Sequence, residues 1–109
     1  MANLDAVFHS LADPTRRAVI ARLAEGPASV SDLAAPHAMT LPSFLKHLRA
    51  LEAGGIIVTA KQGRVRTCRL RLEAVRPAEA WLGQQRRVWE ARLDQLDALL
   101  ARQDDERIP

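Results

Sequence analysis

Lys46, His47 and Arg49 fall within four residues, and Lys61, Arg64, Arg66, Arg69 and Arg71 follow within an eleven-residue run that contains no acid. Ammonium, imidazole and guanidinium groups donate hydrogen bonds and carry or can acquire positive charge, so together they can hold a polyanion. Nothing accompanies them that would do covalent or acid–base chemistry. The sequence contains no Ser-His-Asp set, no phosphate-cradling glycine loop and no paired catalytic carboxylates. From residue 40 to residue 72, seven basic residues stand against one acid, a net of +6. Residues 1–39 net −1 and residues 73–109 net −2, so the overall +3 averages opposite signs. This partition favours nucleic-acid binding over enzymatic activity.

Those side chains need elements to position them. Leu4, Val7, Phe8 and Leu11 recur at helical spacing and predict a first helix. Asp13-Pro14 supplies an N-cap and a first-turn proline for a second helix through TRRAVIARLAE, with Ala18, Val19, Arg22 and Leu23 as its buried face and Gly26-Pro27 as its end. Ser29 and Asp32 resemble a capping box for a short third helix, SDLAAP, limited by Pro36. Thr40 caps a fourth helix with Pro42 in its first turn and Phe44, Leu45, Leu48 and Leu51 on its apolar face. Gly54-Gly55 reads as the left-handed stop. The β-branched run Ile56, Ile57, Val58, Thr59 predicts a strand, Gln62-Gly63-Arg64 a hairpin tip, and Val65 to Leu72 the returning strand. Cys68, Leu70 and Leu72 are expected on its inward face. Pro77 opens a last helix to about Arg102.

The third and fourth helices have the layout of a helix-turn-helix, and the basic hairpin that of a wing. A helix that reads a major groove needs one face packed on its domain and its first turns free for base edges. Phe44, Leu48 and Leu51 supply the first. Thr40, Ser43, Lys46, His47 and Arg49 supply the second. Lys61, Arg64 and Arg66 are expected to hold phosphates or enter a minor groove, whereas Arg69 and Arg71 are placed to pair with carboxylates of the helices. The fold class expected is mainly α with a small β-hairpin, a winged helix-turn-helix.

The bulk composition narrows the alternatives. At 109 residues there is room for one domain, read as residues 1–103, with a polar tail at 104–109. The chain has four aromatic residues and no Tyr, which argues against base stacking on aromatic platforms. A single Cys permits no intrachain disulfide and fits a reducing compartment. Burial is expected to keep Cys68 inert, although nearby arginines would favour its thiolate. His9, His37 and His47 lie on separate helices and suggest no metal site. The N-terminus carries Asp5 and Asp13 without a basic n-region, so it reads as no signal peptide, and no apolar run is long enough for a membrane span. A cytoplasmic protein without cofactors or membrane partners is expected.

At this point a family likeness is visible. LADPTRRAVIARLAEGPASVSDLA, MTLPSFLKHLRALEAGGIIV and GRVRTCRL resemble the ArsR family of winged-helix bacterial repressors, in continuous register over roughly residues 4 to 100. The last helix, AWLGQQRRVWEARLDQLDALL, is similar to a subgroup with two Trp residues there. The resemblance implies a homodimer that binds double-stranded DNA at a palindromic operator, paired through its first and last helices. Apolar stripes at Leu4, Val7, Phe8 and Leu11, and at Leu82, Trp89, Leu93, Leu96 and Leu100, suit such an interface.

This chain departs from the family pattern in three places. Ser29-Val30-Ser31 stands where founding members carry a metal-binding Cys-Val-Cys, and residues 77–103 contain no His for the other family metal site. Leu45 replaces the usual recognition-helix serine and removes one expected DNA contact. The resemblance thus implies no metal switch, and an effector ligand between the last helices is left open. The competing reading is a winged-helix interaction module docking on an acidic protein. Retention of Lys46, His47 and Arg49 favours DNA.

Overall fold

The computed structural model describes residues 4–106. Five helices and a small sheet follow in the order α1 (Leu4–Leu11), α2 (Pro14–Leu23), β1 (Ala28–Ser29), α3 (Val30–Ala34), α4 (Leu41–Ala53), β2 (Ile57–Gln62), β3 (Val65–Leu70), a 3-10 turn (Leu72–Val75) and α5 (Arg76–Glu106). The sheet is antiparallel with strand order β1-β3-β2. The expected helices and hairpin are all present. The two-residue strand β1 was not foreseen, because its pairing of Ala28 with Cys68 and Ser29 with Thr67 is a tertiary contact with no local periodicity.

Helix starts follow the cap chemistry. Asp13 accepts from the Arg16 backbone N–H at 3.1 Å, Ser29 Oγ from that of Asp32 at 3.1 Å, and Thr40 Oγ1 from that of Ser43 at 3.3 Å. Each satisfies a first-turn donor that has no partner within its helix. Prolines in the first turns of α2 and α4 cost nothing there, since their missing N–H would have been unpaired. At the end of α4 the backbone turns left-handed at Gly55, φ 74°, whereas Gly54 stays right-handed at φ −75°. The stop is therefore one residue, not two.

The described residues up to 78 form one compact unit and those from 79 onward a second. The core of the first unit gathers Val7, Val19, Leu23, Leu33, Phe44, Leu48, Leu51, Ile56, Ile57 and Cys68, all buried. On α2 only Val19 and Leu23 of the expected face are buried; Ala18 and Arg22 are exposed, and Arg22 reaches the Gly26 carbonyl instead. One polar side chain, Ser10, is fully buried, and its hydroxyl donates to the Ala6 and Ala50 carbonyls at 2.8 and 3.3 Å. Leu72 leaves the sheet for the 3-10 turn and is 63% exposed, so it is not on the inward face expected for it.

The second unit is the remainder of α5. This helix runs past the expected Arg102 to Glu106, because no Gly or Pro interrupts it between residues 84 and 106. Its Leu82, Trp89, Leu93, Leu96 and Leu100 are exposed by between 49% and 63%. Among the described residues, no helix is long and apolar enough to cross a membrane.

Candidate nucleic-acid interface

Helix α4 divides its faces cleanly. Phe44, Leu48 and Leu51 are buried, and at 100° per residue the direction opposite them belongs to Lys46, flanked by Ser43 on one side and by Pro42 and Arg49 on the other. Thr40, Ser43, Lys46 and Arg49 are exposed. The Thr40 and Ser43 hydroxyls also bond each other at 3.0 Å, which holds the start of the helix closed. Leu45 is partly buried and packs against the core, so its place in the sequence is explained by packing.

The hairpin is a two-residue turn. Gln62 pairs with Val65, and Gly63 adopts φ 61°, a conformation that glycine takes without a side-chain clash. Lys61 sits directly opposite Arg66. Strand alternation puts both on the face that carries Ile57, Thr59 and Cys68, which is the face turned toward α4. Arg69 lies on the other face, with Pro27 and Val58. Arg66 therefore shares the inward parity of Cys68 rather than alternating with it.

Leu45, Arg49, Glu52, Thr59 and Arg66 line one cleft between α4 and the hairpin. Glu52 is its carboxylate, and it accepts from the Thr59 hydroxyl at 3.3 Å. Among the described residues Arg86–Glu90 at 3.8 Å is an ion pair, and His47 Nδ1 lies 3.5 Å from Asp13 Oδ2, a contact that is an ion pair only when the imidazole is protonated. Arg49, Lys61, Arg64, Arg66, Arg69 and Arg71 form none. The expectation that Arg69 and Arg71 pair with helix carboxylates is thus not met. Both are exposed, Arg69 on the strand face away from α4. Arg71, just past β3, lines a pocket with Glu52 and Glu73 without forming an ion pair to either.

His47 departs from the outward set. It lies on the flank of α4 toward α2, its Nδ1 3.3 Å from Arg16 Nε and 3.5 Å from Asp13 Oδ2. Arg16 and Asp13 belong to this surface, but Arg16 was not foreseen, since nothing in DPTRR says that its guanidinium will meet a residue 31 positions away. Desolvation opposes the charge of Asp13. Hydrogen bonds from the Arg16 and Thr15 backbone, with the field of His47 in its protonated form and that of Arg16, outweigh it and hold the carboxyl below its ordinary 3.8. Burial pushes the Cys68 thiol up, Glu52 adds to the effect, and Arg66 opposes both without cancelling them.

Comparison with known proteins assigns the architecture. A helix-turn-helix domain family matches residues 11–60. The chain is similar to an ArsR family transcriptional regulator of known crystal structure, at 54% identity and a TM-score of 0.77, over 83% of this chain and 97% of that one. The chain belongs to the ArsR family of transcriptional regulators. It is also 35% identical over 66 residues to the HTH-type transcriptional regulator Rv2034 of Mycobacterium tuberculosis, a match covering 61% of this chain and 62% of that relative, which is less than two thirds of it. At 23% identity and a TM-score of 0.60, over 77% of this chain and 80% of the other, it shares its fold with a homodimeric winged helix-turn-helix domain from Mycobacterium bovis. In ArsR terms α3 and α4 are the helix-turn-helix and β2–β3 the wing. Among the described residues no group of three His, Cys, Asp or Glu side chains could hold a metal ion.

Leu4, Phe8 and Leu11 are partly buried and rest on the core of their own unit. Val7 is 0% exposed. It has no surface to offer a second chain, because i+3 spacing turned it to the centre of the core, and it leaves the set of interface residues.

Proposed function

We propose that this ArsR-family chain is a homodimeric, cytoplasmic repressor that binds a palindromic operator in double-stranded DNA. The observation that carries the reading is the Lys61–Arg66 pair. Like charges directly opposite across two strands destabilise a hairpin. Here Arg66 lines a cleft with Arg49, Lys61 lies on the same strand face, and neither has an ion-pair partner among the described residues. A polyanion removes that repulsion. Lys46 and Ser43, outermost on α4, read base edges, while Thr40 and Arg49 flank them and Lys61, Arg64 and Arg66 hold phosphates.

Dimerisation is supported by the exposed stripe Leu82, Trp89, Leu93, Leu96 and Leu100, which repeats along one side of α5 as a helix seam does. Leu4, Phe8 and Leu11 are the corresponding residues of α1. A homodimeric relative of the same fold points the same way.

The test is selection of duplexes from a random-sequence pool, followed by titration at several salt concentrations. A palindrome with half-sites about one helical turn apart is expected. The logarithm of affinity should fall with the logarithm of salt by roughly 0.9 for each phosphate contacted. A flat salt response, or no enrichment of any sequence, overturns the proposal.

A further inference from the structure

We propose that Arg16 and Asp13 compete for the inner nitrogen of His47, and that Arg16 wins, leaving the outer nitrogen Nε2 as a hydrogen-bond donor to an acceptor on DNA. This rests on the DNA-binding reading above and specifies one contact of that surface. Arg16 Nη1 donates to the His9 carbonyl at 2.8 Å, which fixes the guanidinium, and Nε donates to His47 Nδ1 at 3.3 Å. A guanidinium has no acceptor. The contact therefore exists only when Nδ1 is bare, and the neutral ring then carries its proton on Nε2.

Asp13 would enforce the opposite arrangement. Its Oδ2 lies 3.5 Å from the same Nδ1, and a carboxylate can only accept. Two acceptors gain nothing from facing each other, and Oδ2 takes the backbone N–H of Arg16 instead. Without the guanidinium, that carboxylate would draw the ring proton to Nδ1. Nε2 would then present a lone pair.

Nε2 is available for such a role. Among the described residues it has no partner, and no buried side-chain nitrogen or oxygen lacks one. It therefore reaches solvent, from a side chain that is 21% exposed. His47 lies one turn after Ser43 on α4, next to the outward face. A donor there suits a phosphate oxygen, guanine O6 or N7, or thymine O4; a lone pair would be repelled by all of them. Residues of α2 and its cap thus set the hydrogen-bonding polarity of a group on the reading helix.

The test compares Arg16→Gln with Arg16→Met. The Gln amide nitrogen is as many bonds from Cα as Arg Nε, so it keeps the donor. Both variants lose the charge and the bond to the His9 carbonyl. Nitrogen–proton correlation spectra of the free protein should place the ring proton on Nε2 in wild type and Arg16→Gln, and on Nδ1 in Arg16→Met. On the duplex that wild type enriches from a random pool, Arg16→Gln should bind about tenfold more tightly than Arg16→Met. The gap should close in a His47→Ala background. A gap seen on every duplex identifies a phosphate, and one confined to a single base pair identifies a base edge. Equal affinities of the two variants, or a bare Nδ1 in Arg16→Met, would overturn the inference while leaving the DNA reading intact. Failure of wild type to bind any duplex would overturn the DNA reading, and the spectra would still decide the proton's position.

Discussion

A Cβ built on Gly54 would lie 2.5 Å from Ser10 Oγ and 3.2 Å from the Ala6 carbonyl. Ser10 is fully buried and already holds the Ala6 and Ala50 carbonyls, so α1 and α4 meet there through a hydroxyl and a missing side chain. Gly54→Ala should therefore destabilise the fold by about 1–3 kcal/mol, as overpacking of a tight site does. Urea unfolding measures this. The cost should shrink in a Ser10→Ala background, because the nearest obstructing atom is gone. Additive effects of the two changes would refute the steric account.

Gly55 is required for a different reason. Its φ of 74° is left-handed, and Gly55→Ala should cost about 1–2 kcal/mol through backbone strain. Gly55→Asn should cost less than Gly55→Ala, since Asn tolerates that region better. The same unfolding assay ranks the two.

Removing one charge of the Lys61–Arg66 pair should move stability and DNA binding in opposite directions. Arg66→Thr relieves a like-charge contact on a strand, a gain of about 0.2–1 kcal/mol, and lowers the salt slope of DNA binding by about one contact. Thermal unfolding and salt-dependent titration on the same variant check both signs. Arg64→Ala, at the exposed tip, should weaken operator and random DNA about equally, whereas Lys46→Ala should erode the ratio between them.

Acid should weaken the α2 cap through Asp13. Its carboxyl titrates below 3.8 in the folded chain, so its contribution is present above that value and is lost as pH falls through the lower folded value. Asp13→Asn keeps a capping oxygen without the charge. The stability difference between wild type and Asp13→Asn should be constant near neutrality and narrow below about pH 4. A difference that persists unchanged into strong acid would contradict the assignment.

Cys68 should be slow toward thiol reagents in the native state. It is 0% exposed and its thiol is shifted up, so the reactive thiolate is scarce as well as inaccessible. Labelling should track unfolding in urea rather than pH between 7 and 8.5.

Much of this protein was legible from local rules. Cap residues at Asp13, Ser29 and Thr40, prolines in first turns, the β-branched run after Gly55 and the glycine at the hairpin tip each act within a few residues, so their outcome needs no knowledge of the remaining chain. The cluster of positive charge between Lys46 and Arg71 was visible for the same reason, and so was the family resemblance.

What tertiary structure decided was which side chains meet. Val7 and Phe8 are neighbours with the same apolar character, yet packing buries the first and leaves the second partly open. Arg66 and Arg69 differ by three residues in one strand and so lie on opposite faces by alternation alone, but only packing decides that the face of Arg66 is the one turned toward α4. Gly54 needs its missing Cβ because Ser10, 44 positions earlier, is pressed against it. Arg16, Asp13 and His47 became a single group only when α2 crossed α4. Composition and periodicity report a residue's own preferences, whereas these contacts belong to pairs that are distant in sequence and are brought together by burial of the shared core.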